Sequence, residues 1–237
     1  MKILALECSA KSGSVAITDD EKLLCEFFCN VGLTHSQTLM PMVENALDNC
    51  GLTLSDIDGF AISAGPGSFT GIRIGISALK GMAMGENKSC VGVSTLHSMA
   101  LSAVHFKGII ASCMDARCNQ CYCALFISNG KEIKRIMEDS ALSMKDFRDK
   151  IKDECKENNM DAIILGDGAS LFYKNYAFDN LTLCDENLRY QSAKFVAALS
   201  YKDFLDGKGI SQDKLLPIYL RLPQAERELK KKMEDKK

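Results

Sequence analysis

A glycine-rich turn is the segment of this chain best suited to chemistry. An apolar run leads into residues 65–75 (GPGSFTGIRIG), which open a helix, and glycine permits the tight backbone geometry of such a turn. Ser68 or Thr70 can cap the helix, whose free N–H groups and positive dipole end attract anions. Arg73 adds a cation one turn into the helix. We therefore predict a phosphate contact at Gly67, Ser68, Thr70 and Arg73, and an ordinary strand-to-helix turn is the alternative.

The sequence lacks the common motifs of hydrolytic catalysis. It contains no Gly-x-Ser-x-Gly nucleophile elbow and no His-Glu-x-x-His zinc motif, which disfavours a peptidase. The glycine turn does not end in Gly-Lys-Ser/Thr and is therefore not a P-loop. Cys118, Cys121 and Cys123 lie close together but lack a second ligand pair at zinc-site spacing. We predict no catalytic residue and no metal site in this chain.

The bulk composition is that of an ordinary globular protein. The 237 residues are 46% hydrophobic and 25% charged, which suffices for a large core in one or two domains. A net charge of −2 provides no basic face for binding nucleic acid without a partner. No apolar run approaches the ~18 residues of a membrane helix, so we expect a cytoplasmic protein with no membrane contact. Eleven cysteines, an odd number, indicate reduced thiols, mostly buried.

Strand-like and helical runs occur twice in the same order. In the first half, three apolar runs between residues 2 and 29 precede a helix that ends at Gly51. A strand, the glycine turn with its helix, a short strand and a helix capped by Ser94 follow. The second half repeats this order, and Ser143 opens its first helix. Each half therefore has the order β-β-β-α-β-α-β-α. Such a duplication identifies a fold better than any single element does.

The repeat pairs particular residues of the two halves. Asp115 falls at the position of Glu7, and residues 166–168 (GDG) stand where residues 65–67 (GPG) do. Paired halves that each open on a strand ending in an acid resemble the actin-like ATPase and sugar-kinase superfamily. This resemblance implies an α/β fold of two tandem ribonuclease-H-like domains. We expect an N-terminal domain at 1–104, a C-terminal domain at 105–222 whose last segment packs back on the first, and a charged tail at 223–237.

Six motifs spread along the chain carry a closer resemblance. They are residues 5–9 (ALECS), 35–41 (HSQTLMP), 65–75, 92–96 (GVSTL), 114–117 (MDAR) and 217–221 (PIYLR). Together they resemble the TsaB family, formerly called YeaZ, over residues 2–225. The resemblance implies a non-catalytic subunit of the bacterial machinery that forms threonylcarbamoyladenosine next to the anticodon of tRNAs reading ANN codons.

The same resemblance implies the partners of this chain. We expect a heterodimer with the related protein TsaD, joint action with the ATPase TsaE, and contact with tRNA only through the complex. A homodimer of the isolated chain is left open, because the sequence does not determine its oligomeric state. It has no cofactor of its own in this interpretation, and ATP or ADP would lie at the interface of the complex.

Two positions depart from what catalysis in this superfamily requires. The catalytic paralogue has a His-x-x-x-His metal motif, but here Leu39 stands four residues after His35. Glu7 replaces the usual Asp, and the extra methylene displaces the carboxylate by over ~1 Å, enough to disturb a preorganised metal–phosphate site. His35 is expected to cap its helix or contact a partner. The alternative function is an active ATPase or phosphotransferase of the superfamily.

The helix after the glycine turn contains a stripe of mostly small residues, Gly71, Gly75, Ala78 and Met82. Glycine inside an exposed helix costs ~1 kcal/mol relative to alanine, so close packing of a partner is one explanation. By resemblance that partner is TsaD, and packing within the chain against the helix after His35 is the alternative. The predicted partner interface consists of His35, Leu39, Val43, Gly71, Arg73, Gly75, Ala78 and Met82, with Arg73 exposed to solvent.

Overall fold

The structure, a computed structural model, describes residues 1–221, so the charged tail predicted at 223–237 lies outside the described residues. The first half contains β1 (Lys2–Glu7), β2 (Gly13–Asp19), β3 (Lys22–Cys29), α1 (His35–Cys50), β4 (Gly59–Gly65), α2 (Phe69–Glu86), β5 (Ser89–Ser94) and α3 (Thr95–Ala100). The second half contains β6 (Gly108–Asp115), β7 (Gln120–Ser128), β8 (Ile133–Ser143), α4 (Met144–Asn158), β9 (Ala162–Leu165), α5 (Ala169–Tyr176), β10 (Leu181–Leu183), α6 (Glu186–Arg189) and α7 (Ala193–Leu205).

The two halves form two sheets of identical topology. The strand order is β3-β2-β1-β4-β5 in one sheet and β8-β7-β6-β9-β10 in the other. In the first sheet β1 is antiparallel to β2 and parallel to β4, and β6 has the same relation to β7 and β9. Glu7 and Asp115 therefore end equivalent strands. The predicted α/β class, the duplication and the paired ribonuclease-H-like halves are confirmed.

Helix ends follow the expected capping chemistry. The hydroxyl of Ser94 accepts the His97 N–H at 3.1 Å, and that of Ser143 accepts the Asp146 N–H at 3.0 Å. Gly51 ends α1 with a left-handed φ of 64°, which glycine adopts without steric cost. The three ends predicted from the sequence are confirmed.

The last helix of each half packs on the sheet of the other half. From α3, Leu96 and Met99 contact Ile110 and Phe126 of the second sheet. From α7, buried apolar residues pack on the inner face of the first sheet: Ala193, Val196 and Ala197 against Ile3, Ala5, Ala16, Ala61, Val91 and Val93. Since α3 and α7 also contact each other, they form a central helical layer between the two sheets, with α1 and α2 on one outer side and α4 and α5 on the other.

The structure shows the state of the cysteines and the length and hydrophobicity of the helices. All eleven cysteines lie within the described part and are free thiols, and most are buried. Cys121 contacts the thiols of Cys113 and Cys123 on the same sheet face. Among residues 1–221, no helix has the length and hydrophobicity needed to cross a membrane.

The exchange of terminal helices leads to a stability prediction. Val196 on α7 is fully buried against the first sheet, whereas Ala198 on the same helix is exposed. Val196→Asp should lower the free energy of unfolding by about 3 kcal/mol or more, because it buries an unpaired carboxylate. Ala198→Asp, the matched control, should change it by about 0.5 kcal/mol or less. Urea unfolding followed by circular dichroism measures both, and equal losses would contradict the observed packing of α7.

Candidate functional site

The glycine turn approaches its neighbours so closely that side chains are excluded. Gly65 has a φ of 130°, and a Cβ there would clash with the carbonyl oxygen of Ile218. A Cβ at Gly67 would clash with the carbonyl oxygen of Ser9, which follows β1. The turn therefore needs glycine for contacts within the chain, at the carboxyl ends of β1 and β4.

The N-terminus of α2 is capped by Ser68, and one backbone N–H at this end is already hydrogen-bonded within the chain. The Ser68 N–H donates to the Ser9 carbonyl at 2.6 Å, and the Ser68 hydroxyl accepts the Gly71 N–H at 3.2 Å. The side chains of Ser68 and Thr70 are exposed and line a cavity of about 440 Å³ that also receives Lys11. The N-termini of α1 and α2 both border this cavity, so its walls combine one lysine with two positive helix ends.

Arg73 lies on the outer face of α2 and is exposed to solvent, which confirms that expectation. Its guanidinium carbon lies 3.8 Å from the centre of the Phe69 ring, and its Nε donates to the Tyr219 hydroxyl at 2.8 Å. The Phe69 and Tyr219 rings stack with centres 4.8 Å apart. Within residues 1–221, Arg73 makes no ion pair with a carboxylate. The cation is thus oriented by neutral groups.

Tyr219 belongs to a segment, residues 215–221, that we call the strap. Leu215 is buried in the first core, and the Ile218 N–H donates to the Ala64 carbonyl at 2.7 Å. The guanidinium of Arg221 donates to the Ala116 carbonyl, just after β6, at 2.9 Å. The strap therefore crosses the carboxyl end of β4 and reaches the second half. Motif 217–221 does not by itself show that the strap lies against the glycine turn; its co-occurrence with motif 65–75 is the available signal in the sequence.

Most of the predicted small-residue stripe faces the interior of the chain. A Cβ at Gly71 would clash with the Cys8 carbonyl oxygen, and one at Gly75 would clash with the Cys8 thiol. Met82 is buried and Ala78 is half-buried. The assignment of Gly71, Gly75 and Met82 to a free surface is wrong, because α2 packs Gly71 and Gly75 against the chain that leaves β1 and buries Met82 in the first core.

Three further interface predictions on α1 are wrong for the same kind of reason. Leu39 and Val43 are each 1% exposed and belong to the first core. His35 is buried, and its Nε2 lies 2.8 Å from the Ala10 carbonyl oxygen, to which it donates. Thr34 is the N-cap of α1. His35 therefore neither caps the helix nor faces solvent, and instead fixes the loop between β1 and β2.

The exposed face of α2 carries a different row of residues. Arg73, Ser77, Gly81 and Gly85 recur every four residues, and all four are exposed. A Cβ at Gly81 or Gly85 would meet no other atom within 4 Å. Nothing within the described chain requires glycine at these two positions, although each glycine lowers the intrinsic stability of the helix. We call these four residues the outer row.

The acid that ends β1 is fully enclosed. Glu7 is 0% exposed, and its Oε1 accepts the Ser9 N–H at 2.6 Å and the Ser9 hydroxyl at 2.5 Å. Its Oε2 accepts a hydrogen bond from the Ser63 hydroxyl. Burial raises the pKa of Glu7, and the hydrogen bonds from Ser63 and Ser9 oppose that rise. Because these hydroxyls occupy both carboxylate oxygens, Glu7 does not fit the role of holding a metal–nucleotide group.

The acids of the second half are arranged differently. Asp115 is exposed and accepts the Arg117 backbone N–H at 2.8 Å. In the 166–168 turn, Asp167 accepts the side-chain amide of Gln191 at 2.9 Å. Burial raises the pKa of Asp167 to about 6, and the hydrogen bond from Gln191 opposes that rise. Among the described residues, no group of three or more His, Cys, Asp or Glu side chains is placed to hold a metal ion.

Comparisons with known proteins agree with this geometry. The family described as "TsaD: tRNA N6-adenosine threonylcarbamoyltransferase" matches residues 31–228. The "tRNA threonylcarbamoyladenosine biosynthesis protein TsaB" of Bacillus subtilis (strain 168) is 28% identical over 233 residues, covering 95% of this chain and 96% of the relative. The protein of the same name from Buchnera aphidicola subsp. Schizaphis graminum is 30% identical over 168 residues, covering 70% and 78%.

A solved structure, "YeaZ from Pseudomonas aeruginosa", is 25% identical and superposes with a TM-score of 0.77, covering 92% of this chain and 99% of that chain. The fold and the matches define a protein of two ribonuclease-H-like halves, of the class that includes the threonylcarbamoyltransferases. Within that class, the chain belongs to the TsaB (YeaZ) family.

The environment of Asp167 leads to a pH prediction. Its folded pKa of about 6 exceeds the ordinary 3.8, so its contribution to stability is full below pH ~3.8 and is lost as the pH rises through about 6. Asp167→Asn, which cannot ionise, should therefore gain stability relative to the native chain as the pH rises from 4 to 7, by up to about 3 kcal/mol. Urea unfolding across this range measures the gain. Asp115→Asn, at an exposed acid, is the control, and an equal gain there would refute the assignment.

Proposed function

We propose that this chain is a non-catalytic subunit that acts with TsaD and TsaE to transfer the threonylcarbamoyl group to the adenosine next to the anticodon of tRNAs reading ANN codons. The relatives that match most of its length bear the name of that biosynthetic process. The structural observation that carries the proposal is Glu7, which accepts hydrogen bonds from Ser9 and Ser63 where a catalytic superfamily member needs a free carboxylate.

Glu7 also separates this proposal from an active ATPase or phosphotransferase. To hold a metal–phosphate group, Glu7 would have to release the hydroxyls of Ser9 and Ser63 and become accessible from a position that is 0% exposed. Such a rearrangement costs several hydrogen bonds. An assembly role that uses the outer surface needs no change at this site.

We infer that the outer row of α2 is the surface that contacts TsaD in a heterodimer. Gly81 and Gly85 allow close approach of another helix, and the exposed side chains of Met84 on α2 and Met40 on α1 add adaptable apolar surface. Of the interface residues expected from the sequence, Arg73 remains in this proposal, with Ala78 at its edge. The same surface would support a homodimer in the absence of TsaD.

The exposed cations near the glycine turn support contact with an anion at that interface. Arg73 lies at one end of the outer row, and Lys11, Ser68 and Thr70 line the neighbouring cavity. ATP or ADP held at the interface of the complex would place phosphate within this region. The chain needs no cofactor of its own in this scheme. Because its net charge is −2, tRNA would contact it chiefly through the complex, in the cytoplasm.

An omission experiment tests the proposed function. Cognate TsaD, TsaE, ATP, threonylcarbamoyl-adenylate and tRNA are combined with and without this chain, and the modified nucleoside is measured by mass spectrometry. We expect product only with the full set, and none from this chain with substrate and tRNA in the absence of TsaD. Full product without this chain would refute a required subunit, and product without TsaD would refute a non-catalytic one.

A pair of glycine variants tests the location of the interface. Gly81→Leu should leave the monomer stable, since the position is open, but should weaken TsaD binding because overpacking of a close helix contact costs about 1–3 kcal/mol. Gly75→Leu should instead unfold the monomer, because of the clash with Cys8. Ala198→Leu, at an exposed position of α7, is the control for binding. Calorimetric titration with TsaD measures binding, and thermal unfolding measures the stability of the monomer. If Gly81→Leu binds TsaD as tightly as the native chain, the outer row is not the interface.

A further inference from the structure

The hydrogen bond to Tyr219 engages the Nε of Arg73 and leaves the two Nη groups of the guanidinium available. Within residues 1–221 the only side-chain hydrogen bond of Arg73 runs from Nε to the Tyr219 hydroxyl, at 2.8 Å. The Nη1 and Nη2 groups have no partner among the described residues. A guanidinium can pair with an oxyanion side-on, through Nε and one Nη, or end-on, through Nη1 and Nη2. With Nε engaged, the end-on fork remains.

The orientation of this fork is fixed from two sides. The guanidinium lies 3.8 Å from the Phe69 ring centre, and Phe69 in turn stacks on Tyr219. Tyr219 is held by the strap, whose Ile218 bonds to the Ala64 carbonyl and whose Arg221 bonds to the Ala116 carbonyl. The strap thereby connects the orientation of an exposed cation to backbone atoms of both halves. A cation with restricted rotamers loses less entropy on binding than a free surface arginine.

We propose that Tyr219 is a positioning residue that presents Arg73 for end-on, bidentate binding of an oxyanion. This inference rests on the proposed function of the outer row as a partner surface. The oxyanion is a carboxylate of TsaD or a phosphate of a nucleotide held at the interface, since both offer two oxygens to the Nη fork. Tyr219 itself does not touch the oxyanion.

A double-mutant cycle tests the positioning role. Tyr219→Phe keeps the ring stacked on Phe69 and removes only the hydroxyl that accepts from Nε. TsaD binding is measured by calorimetric titration for the full-length chain, Tyr219→Phe, Arg73→Ala and the double variant. We expect about 10-fold weaker binding for Arg73→Ala and about 2- to 10-fold for Tyr219→Phe, with no additional loss in the double variant.

Two arms distinguish the sources of the oxyanion. If Arg73→Ala weakens TsaD binding equally with and without ADP and Mg²⁺, the oxyanion is a carboxylate of TsaD. If the loss appears only with ADP and Mg²⁺, it is a phosphate. Both results support the inference, provided that Tyr219→Phe acts only when Arg73 is present.

A spectroscopic readout separates positioning from a merely structural role. In ¹⁵N spectra of the free chain, the Arg73 Nε–H signal, assigned by its loss in Arg73→Lys, should exchange slowly with water and should become fast in Tyr219→Phe. Equal losses of TsaD binding from Tyr219→Phe with and without Arg73, or an unchanged exchange rate, would overturn the positioning role. If Arg73→Ala leaves TsaD binding unchanged in both arms, the assignment of Arg73 to the interface fails as well, while the omission experiment still tests the required-subunit proposal.

Discussion

After Glu7 the chain passes directly beneath α2, and this close approach determines much of the surrounding structure. Glycine is required at Gly67, Gly71 and Gly75 because the backbone or side chains of Cys8 and Ser9 occupy the space of a side chain there. The Ser68 N–H completes the contact through its bond to the Ser9 carbonyl. Since Cβ atoms are excluded at Gly71 and Gly75, on two successive turns, this face of the helix must lie against the chain that leaves β1.

That packing decides which residues of α2 reach solvent. The buried arc contains Ile72, Ile76 and Leu79, so the outer row must contain Arg73 and Gly81. Ser9, on the same segment, and Ser63, on the neighbouring strand β4, donate their hydroxyls to the carboxylate of Glu7. An acid that ends a strand at the centre of the sheet is thereby enclosed in the core.

Two sets of tertiary contacts hold the two halves together: the central helical layer and the strap. The central layer of α3 and α7 gives each sheet a helix from the other half, which covers much of the inner face of that sheet. The strap adds a second connection at the carboxyl ends of β4 and β6, through Ala64 and Ala116. A disturbance of the strap is therefore expected to act on Arg73 before it acts on the core, because the hydrogen bond between Tyr219 and Arg73 lies at the surface.

The sequence determined the order of elements, the duplication, the helix ends at Gly51, Ser94 and Ser143, and the position of the 65–75 turn between a strand and a helix. These features depend on local periodicity and capping, which neighbouring residues specify. It also indicated an exposed Arg73. The rotation of α2 could not be read in the same way, because glycine and alanine are compatible with a buried face and with an exposed one. Only the tertiary structure assigned Gly75 to the interior and Gly81 to the surface, placed Tyr219 against Arg73 and enclosed Glu7, since each of these contacts joins residues far apart in the chain.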